Sequence, residues 1–321
     1  MPNMTHHDIS QVQAPQAIVV LVTSRCNATC LYCPFHKNIL DFVVDPNLEW
    51  LKCRFKEAAD YGVKYVRLSG GEPLLRKDLE EITAYAAALG LTPTMVTNGA
   101  LLTEKRMAAL EKAGMHAVTL SVDTLDAGEY ESLRGLPFAH VRRNLEMFER
   151  MHRENSPVWT GLTVVVSRYN IEQLPGVVKD LSRRGIPVQF QPMHSYSETE
   201  VENAANEPSV EQVEQLVTRL IAMREQGYLV NNSVQYLKGM NDFVRTKRPP
   251  SDYLCPIPWT TAVYDGDMHL RPCCYPHTPI ANSDTLPFPI SWNSGEMNDW
   301  RNKISRMECH GCWLLSLDTW K

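Results

Sequence analysis

Thr23-Ser24-Arg25-Cys26-Asn27-Ala28-Thr29-Cys30-Leu31-Tyr32-Cys33-Pro34 sets three thiols at the spacing C-x3-C-x2-C. It directly follows an apolar run, Ala17-Ile18-Val19-Val20-Leu21-Val22, that reads as a buried strand. Iron–sulfur clusters are held by cysteine thiolates, and a cubane cluster has four irons to satisfy. Three protein ligands leave one iron open, so that site can bind a reacting molecule rather than only pass electrons. Tyr32, just before the third cysteine, is placed to lie against a flat ring held beside the cluster. A zinc knuckle or three buried cysteines are the plainer readings, although zinc motifs more often run C-x2-C with a matching pair nearby.

Leu68-Ser69-Gly70-Gly71-Glu72-Pro73 follows a second strand-like run over 64–68. Two glycines let the backbone approach a ligand closely, and free N–H and C=O groups there can grip the charged ends of an amino acid. Glu72 adds an acceptor for an ammonium. A plain strand-to-helix turn explains the glycines and the proline but not the acid beside them. In this order and at this spacing, the two motifs together resemble the radical S-adenosylmethionine (radical SAM) superfamily. The resemblance implies that Cys26, Cys30 and Cys33 hold a [4Fe–4S] cluster that binds and reductively cleaves SAM, and that the Gly70-Gly71-Glu72 turn holds its methionine amino group.

Length and composition set outer limits. A chain of 321 residues holds one large domain, or one domain with a small appendage. Apolar content of 44% with 21% charged residues is that of an ordinary globular protein. A net charge of −5 offers no basic field for nucleic acid or a membrane surface. No apolar run approaches the roughly 20 residues that a membrane helix needs, and residues 1–16 form a polar tail without a signal-peptide pattern. Nine cysteines, seven of them in metal-type spacings, argue against a disulfide framework and for the cytoplasm.

Past the cluster loop, strands and helices alternate. Strands read near 65–68, 94–97, 117–122, 162–167 and 188–191, and helices over 47–61, 78–89, 104–113, 140–152 and 174–184. Gly62, Gly90, Gly114 and Gly185 each sit just past a helix, where a left-handed residue is favoured. Such alternation predicts α/β architecture with a parallel sheet. With the first strand it makes six β/α units over 17–194, and the resemblance implies the same partial (β/α)6 TIM-type barrel, open laterally. Chemistry in parallel barrels sits at the C-terminal strand ends, which singles out Asn98, Ser121, Asp123, Ser167, Gln189, Gln191 and His194. In family terms Ser121, Asp123 and Ser167 contact SAM; Asn98 either joins them or serves the Asn-Gly turn. His194 and the glutamines point to the substrate by position, or His194 is a structural histidine. Residues 195–250 read as a linking helical layer, with helices over 209–226 and 233–245 and a capping box from Ser209 to Gln212.

The segment 251–321 carries Cys255, Cys273, Cys274, Cys309 and Cys312. A hairpin signature with Asp265-Gly266 at its turn separates the first two, and a helix-like run over 296–307 leads into Cys309-His310-Gly311-Cys312. Cys255, Cys273, Cys309 and Cys312 make a four-thiolate set, suited to zinc or to iron–sulfur. The pattern looks like the small hairpin/helix "twitch" relative of the SPASM domain, which implies a second, auxiliary [4Fe–4S] cluster that relays electrons. Cys53 reads as a buried small hydrophobe. Cys274 is a packing residue, a rival ligand to Cys273, or a thiol that gives a hydrogen atom to a substrate radical.

The resemblance implies that a reduced cluster cleaves SAM to methionine and a 5′-deoxyadenosyl radical, which abstracts a substrate hydrogen. An external one-electron reductant, flavodoxin- or ferredoxin-like, supplies the electron. Twitch-type relatives oxidise or epimerise sugars and aminocyclitols. With no evident module for gripping a leader peptide ahead of the first strand, the expected partner is a small polar metabolite, oxidised or epimerised. The alternatives are a radical SAM peptide or protein maturase and a two-cluster electron-transfer protein.

Overall fold

The computed structural model describes residues 13–33, 45–194, 206–250, 253–273, 279–309 and 311–314. Six parallel strands alternate with helices: β1 (Ala17–Thr23), α1 (Leu48–Tyr61), β2 (Tyr65–Gly70), α2 (Leu79–Ala88), β3 (Thr92–Thr97), α3 (Glu104–Lys112), β4 (Ala117–Ser121), α4 (Ala127–Arg134), α5 (Ala139–Arg153), β5 (Trp159–Val166), α6 (Leu174–Arg183) and β6 (Val188–Pro192). Two helices follow, α7 (Val210–Glu225) and α8 (Val234–Thr246), and then the hairpin β7 (Thr261–Tyr264) and β8 (Leu270–Arg271). The architecture is the α/β partial barrel that the alternation predicts.

The strands alternate in a way that explains the layering. Val66 and Leu68, Met95, Val118 and Leu120, Leu162 and Val164, and Val188 and Phe190 are all but sealed from solvent and face the helices. On the other alternation, Arg67, Thr94, Ser121, Thr163 and Gln191 are half-buried, while Thr119 and Gln189 are buried. The sheet is thus apolar on its helix-covered side and polar on its concave side. One register row on the concave side runs Ser121, Thr163, Gln189. β1 is central and buried along nearly its whole length, as a parallel strand covered on both faces should be.

The helix ends obey local rules. Asn47, Thr103, Asp126, Ser209 and Ser233 each cap a helix by accepting a backbone N–H, and Ser209 with Gln212 completes the capping box. Each such cap contributes about 1 kcal/mol. Helix α4 lies in a stretch for which the periodicity suggests no element; at eight residues it is too short to show a clear apolar stripe.

The hairpin departs from expectation in its placement. Instead of forming a small separate sheet, β7 pairs in parallel with β1, with Ala17 opposite Thr261 and Val20 opposite Tyr264. The result is one eight-stranded sheet of order β6-β5-β4-β3-β2-β1-β7-β8. The segment after the hairpin is fastened to α1: Trp50 Nε1 donates to the Asp284 carbonyl at 3.1 Å, and Glu57 accepts the Phe288 N–H at 2.8 Å. Arg301, 1% exposed, spans the Pro258 and Trp292 carbonyls at 2.9 Å each. The outer edge of β6 is closed as well, because Asn232 mimics a strand, accepting from Phe190 N at 2.7 Å and donating to Phe190 O at 3.0 Å. Among the described residues no helix is long and apolar enough to cross a membrane.

Candidate active site

The cysteine loop leaves β1 at its C-terminal end and is gripped from two sides. On one side, Thr29 N donates to the Arg134 carbonyl at 3.0 Å and Leu31 N to the Leu133 carbonyl at 2.9 Å, a two-rung ladder with the last turn of α4. Gly135 ends that helix at φ +63°, so close that a Cβ there would stand 1.8 Å from Thr29 Oγ1. On the other side, Gly71 N donates to Thr23 O and Glu72 N to Arg25 O, both at 2.8 Å. A Cβ on Gly70 would meet Thr23 O at 2.3 Å, and one on Gly71 would meet Arg25 O at 2.1 Å. The two motifs are therefore one packed unit, and glycine is needed for backbone to touch backbone. Asp45 completes the grip by accepting from Thr23 Oγ1 and Ser24 N, both at 2.9 Å, and from Arg25.

Cys30 is buried, while Cys26 and Cys33 are half-buried. Cys26 Sγ accepts from Ala28 N at 3.4 Å and from Asn98 Nδ2 at 3.9 Å, and Arg134 Nη1 stands 3.9 Å from Cys30 Sγ. Burial pushes the Cys26 and Cys30 thiols up, Cys30 to about 11, and Cys33 pushes both the same way. The three thiols thus lie in one another's field, and metal binding displaces their protons. N–H donors aimed at sulfur are the surroundings in which an iron-bound thiolate is found, so the residues present fit a cluster. Among the described residues no three His, Cys, Asp or Glu side chains are gathered tightly enough for a single ion.

Several residues expected at the cofactor also brace the fold. Glu72 is 1% exposed, and its carboxylate accepts from Leu74 N at 3.0 Å, Thr97 Oγ1 at 2.6 Å and Asn98 N at 2.7 Å. These three bonds lock the turn to the end of β3. Asp123, also 1% exposed, takes Val165 N on Oδ1 at 3.0 Å and both Arg134 Nε, at 2.8 Å, and the Tyr32 hydroxyl on Oδ2. Ser167 is fully buried, with its N–H and hydroxyl both donating to Asn170 Oδ1. Sequence does not show these partners of the two acids, because most of the donors come from other elements.

Other candidates keep access to the site. The Tyr32 ring is half-buried, its hydroxyl held on Asp123, and burial keeps the phenol protonated by pushing it well above its ordinary range. Asn98 donates to Asn27 Oδ1 at 2.8 Å as well as facing Cys26, while its own Oδ1 accepts Ala100 N. Its bond to Ala100 N is the turn role suggested for it. Ser121 is half-buried on the concave side.

His194 is 7% exposed and packs against Phe243 at 4.9 Å. Burial lowers it to about 4, while a hydrogen bond with the Trp313 backbone opposes that shift. It holds the C-terminal segment against β6, which is the structural reading of that residue.

Cys273 is buried, and Cys255, Cys309 and Cys312 are half-buried. Tyr253 against Trp313, at 4.8 Å, lays the segments carrying Cys255 and Cys312 side by side. Cys53 is exposed on α1, not buried, and faces Glu57. Cys274 lies outside the described residues. The residue that the sequence reading missed is Arg134. Its signal was present in the N-cap Asp126 with Glu129 three residues on, and in Gly135 as a C-terminal stop.

Comparison with known proteins agrees with this geometry. The model of the Radical SAM superfamily matches residues 20–181. A PqqA peptide cyclase from Methylorubrum populi is 33% identical over 218 residues, which cover 67% of this chain and 55% of that protein. The chain therefore spans little more than half of that relative. Among solved structures, Streptococcus suis SuiB bound to precursor peptide SuiA aligns with TM-score 0.68 at 18% identity, over 89% of this chain and 66% of that one. The native anSMEcpe structure with bound AdoMet and Cp18Cys peptide aligns with TM-score 0.69 at 18% identity, over 95% and 88%. These findings overturn the expected small-metabolite partner and the sugar or cyclitol oxidation or epimerisation that went with it, since the relatives are named for peptides. The expectation leaned on the polar N-terminal stretch, which carries no information about what the barrel accepts. The family match runs across half the chain, over the strands that carry both the loop and the turn, and on it this chain belongs to the radical SAM superfamily.

Proposed function

We propose that this radical SAM enzyme modifies a peptide. The observation that carries the reading is its relatedness to PqqA peptide cyclases, at 33% identity across 67% of the chain. The concave face supports it: the row Ser121, Thr163, Gln189 offers polar side chains to a peptide backbone, whose N–H and C=O groups must find partners once buried.

When bound, the cluster supplies the electron that cleaves SAM, and SAM supplies the 5′-deoxyadenosyl radical that removes a substrate hydrogen. The protein binds, orients and excludes water. Cys26, Cys30 and Cys33 would hold the cluster. The Gly70-Gly71 backbone would meet the methionine end of SAM, in a turn kept rigid by Glu72 and its three donors. Tyr32, Asn98 and Ser121 would border the remaining space, with the Tyr32 hydroxyl held by Asp123.

We infer further that Cys255, Cys273, Cys309 and Cys312 hold a second cluster. Closing a ring between two peptide positions removes two hydrogens, and a cluster ligated wholly by protein is suited to accept the second electron. Anaerobically reduced protein, given SAM and short peptides encoded beside its gene, should release more 5′-deoxyadenosine with the right peptide and leave that peptide lighter by two hydrogens. SAM cleavage that no such peptide stimulates, together with consumption of a sugar or cyclitol, would sink the proposal.

A further inference from the structure

Arg134 and Asp123 form an ion pair with side chains only 8% and 1% exposed, Nε to Oδ2 at 2.8 Å. Withdrawing two charges from water costs several kcal/mol per ion before their attraction offsets it. The carboxylate already holds Val165 N and the Tyr32 hydroxyl. The guanidinium has further donors to place, and its Nη1 stands 3.9 Å from the sulfur of Cys30. Cys30, 7% exposed, is the most buried of the three loop thiols. The Arg134 backbone carbonyl also anchors Thr29 N in the same loop. A cation is therefore fixed, out of water, against one thiol of the cluster loop, with its counter-charge paired to it.

We propose that Arg134 is a positioning residue that sets the reduction potential of the SAM-binding cluster, with Asp123 holding the guanidinium in place and partly cancelling its charge. Reduction adds negative charge to a cluster. A nearby cation stabilises the reduced form, and in a buried, weakly screened site the effect is far larger than in water. Hydrogen bonds to the ligand sulfur act in the same direction. The carboxylate works the opposite way. This rests on ligation by Cys26, Cys30 and Cys33 and does not depend on the substrate being a peptide.

The test is an anaerobic redox titration, following the electron paramagnetic resonance signal that responds to SAM. It is run on wild type, Asp123→Asn and the Asp123→Asn/Arg134→Gln double variant. Asp123→Asn removes the carboxylate and should raise the ratio of reduced to oxidised cluster about tenfold at fixed potential, which for one electron is about 59 mV. The double variant, with the cation also gone, should fall back by tenfold or more from that value. Iron content and far-UV circular dichroism serve as fold controls. Midpoints equal to wild type in both variants overturn the proposal. If the double variant does not fold, an unmoved or lowered midpoint in the near-isosteric Asp123→Asn overturns it alone. A wild-type protein without any SAM-responsive signal would overturn the ligation itself, and the proposal with it; failure of the peptide assay alone would leave this titration intact.

Discussion

Gly71→Ala inserts a methyl group into the contact between the cysteine loop and the glycine turn. Its Cβ would stand 2.1 Å from Arg25 O, 2.5 Å from Arg25 C and 2.9 Å from Ser24 O. Such contacts do not occur below 3.0 Å, so loop and turn must separate by roughly 1 Å. The obstructing atoms are backbone and are tied down, Arg25 O by Glu72 N at 2.8 Å and Ser24 N by Asp45 at 2.9 Å. Overpacking of this kind costs about 1–3 kcal/mol, which a protein of ordinary stability survives. A displacement of about 1 Å in a catalytic constellation, by contrast, costs on the order of 100-fold in rate. The variant should fold and load iron, yet release 5′-deoxyadenosine about 100-fold more slowly in a single-turnover assay with chemically reduced protein. A wild-type rate at wild-type iron content would refute the idea that this close approach sets the geometry.

Gly176→Ala is the contrasting case, since nothing lies within 4 Å of its Cβ position on α6; it should raise unfolding stability by about 0.5–1 kcal/mol and leave SAM cleavage unchanged, and a lowered melting temperature would count against the helix argument. His194 is pushed down to about 4 by burial, whereas the unfolded chain binds its proton near 6.5. Stability present above pH 6.5 is therefore lost as pH falls toward 4, by up to roughly 3 kcal/mol. His194→Gln should flatten the difference between urea midpoints at about pH 7.5 and about pH 5, and an identical slope would show that another group is responsible. Replacing Cys309 and Cys312 with Ala should lower anaerobic iron content from about eight to about four per chain; an unchanged count would remove these residues from the ligand set.

What the sequence determined by itself is the local part. Ligand spacing lies within one short segment, so Cys26, Cys30, Cys33 and the Gly70-Gly71 turn could be read directly, along with the family they imply. Strand and helix alternation is likewise a property of short windows, and it predicted six β/α units and the helix-ending glycines, four of which have positive φ. The tertiary structure alone decided which polar groups remain available. Asp123 takes a donor from Val165, 42 residues away, and Glu72 takes two from the end of β3, so both brace the fold through partners that no single segment shows. It also decided that β7 lies beside β1, and that Arg134, from a helix too short for periodicity to show, faces Cys30 across 104 residues of chain. The reason is physical: a thiol's spacing is set by neighbouring peptide bonds, but the state of a buried charge is set by whichever distant segments fold against it.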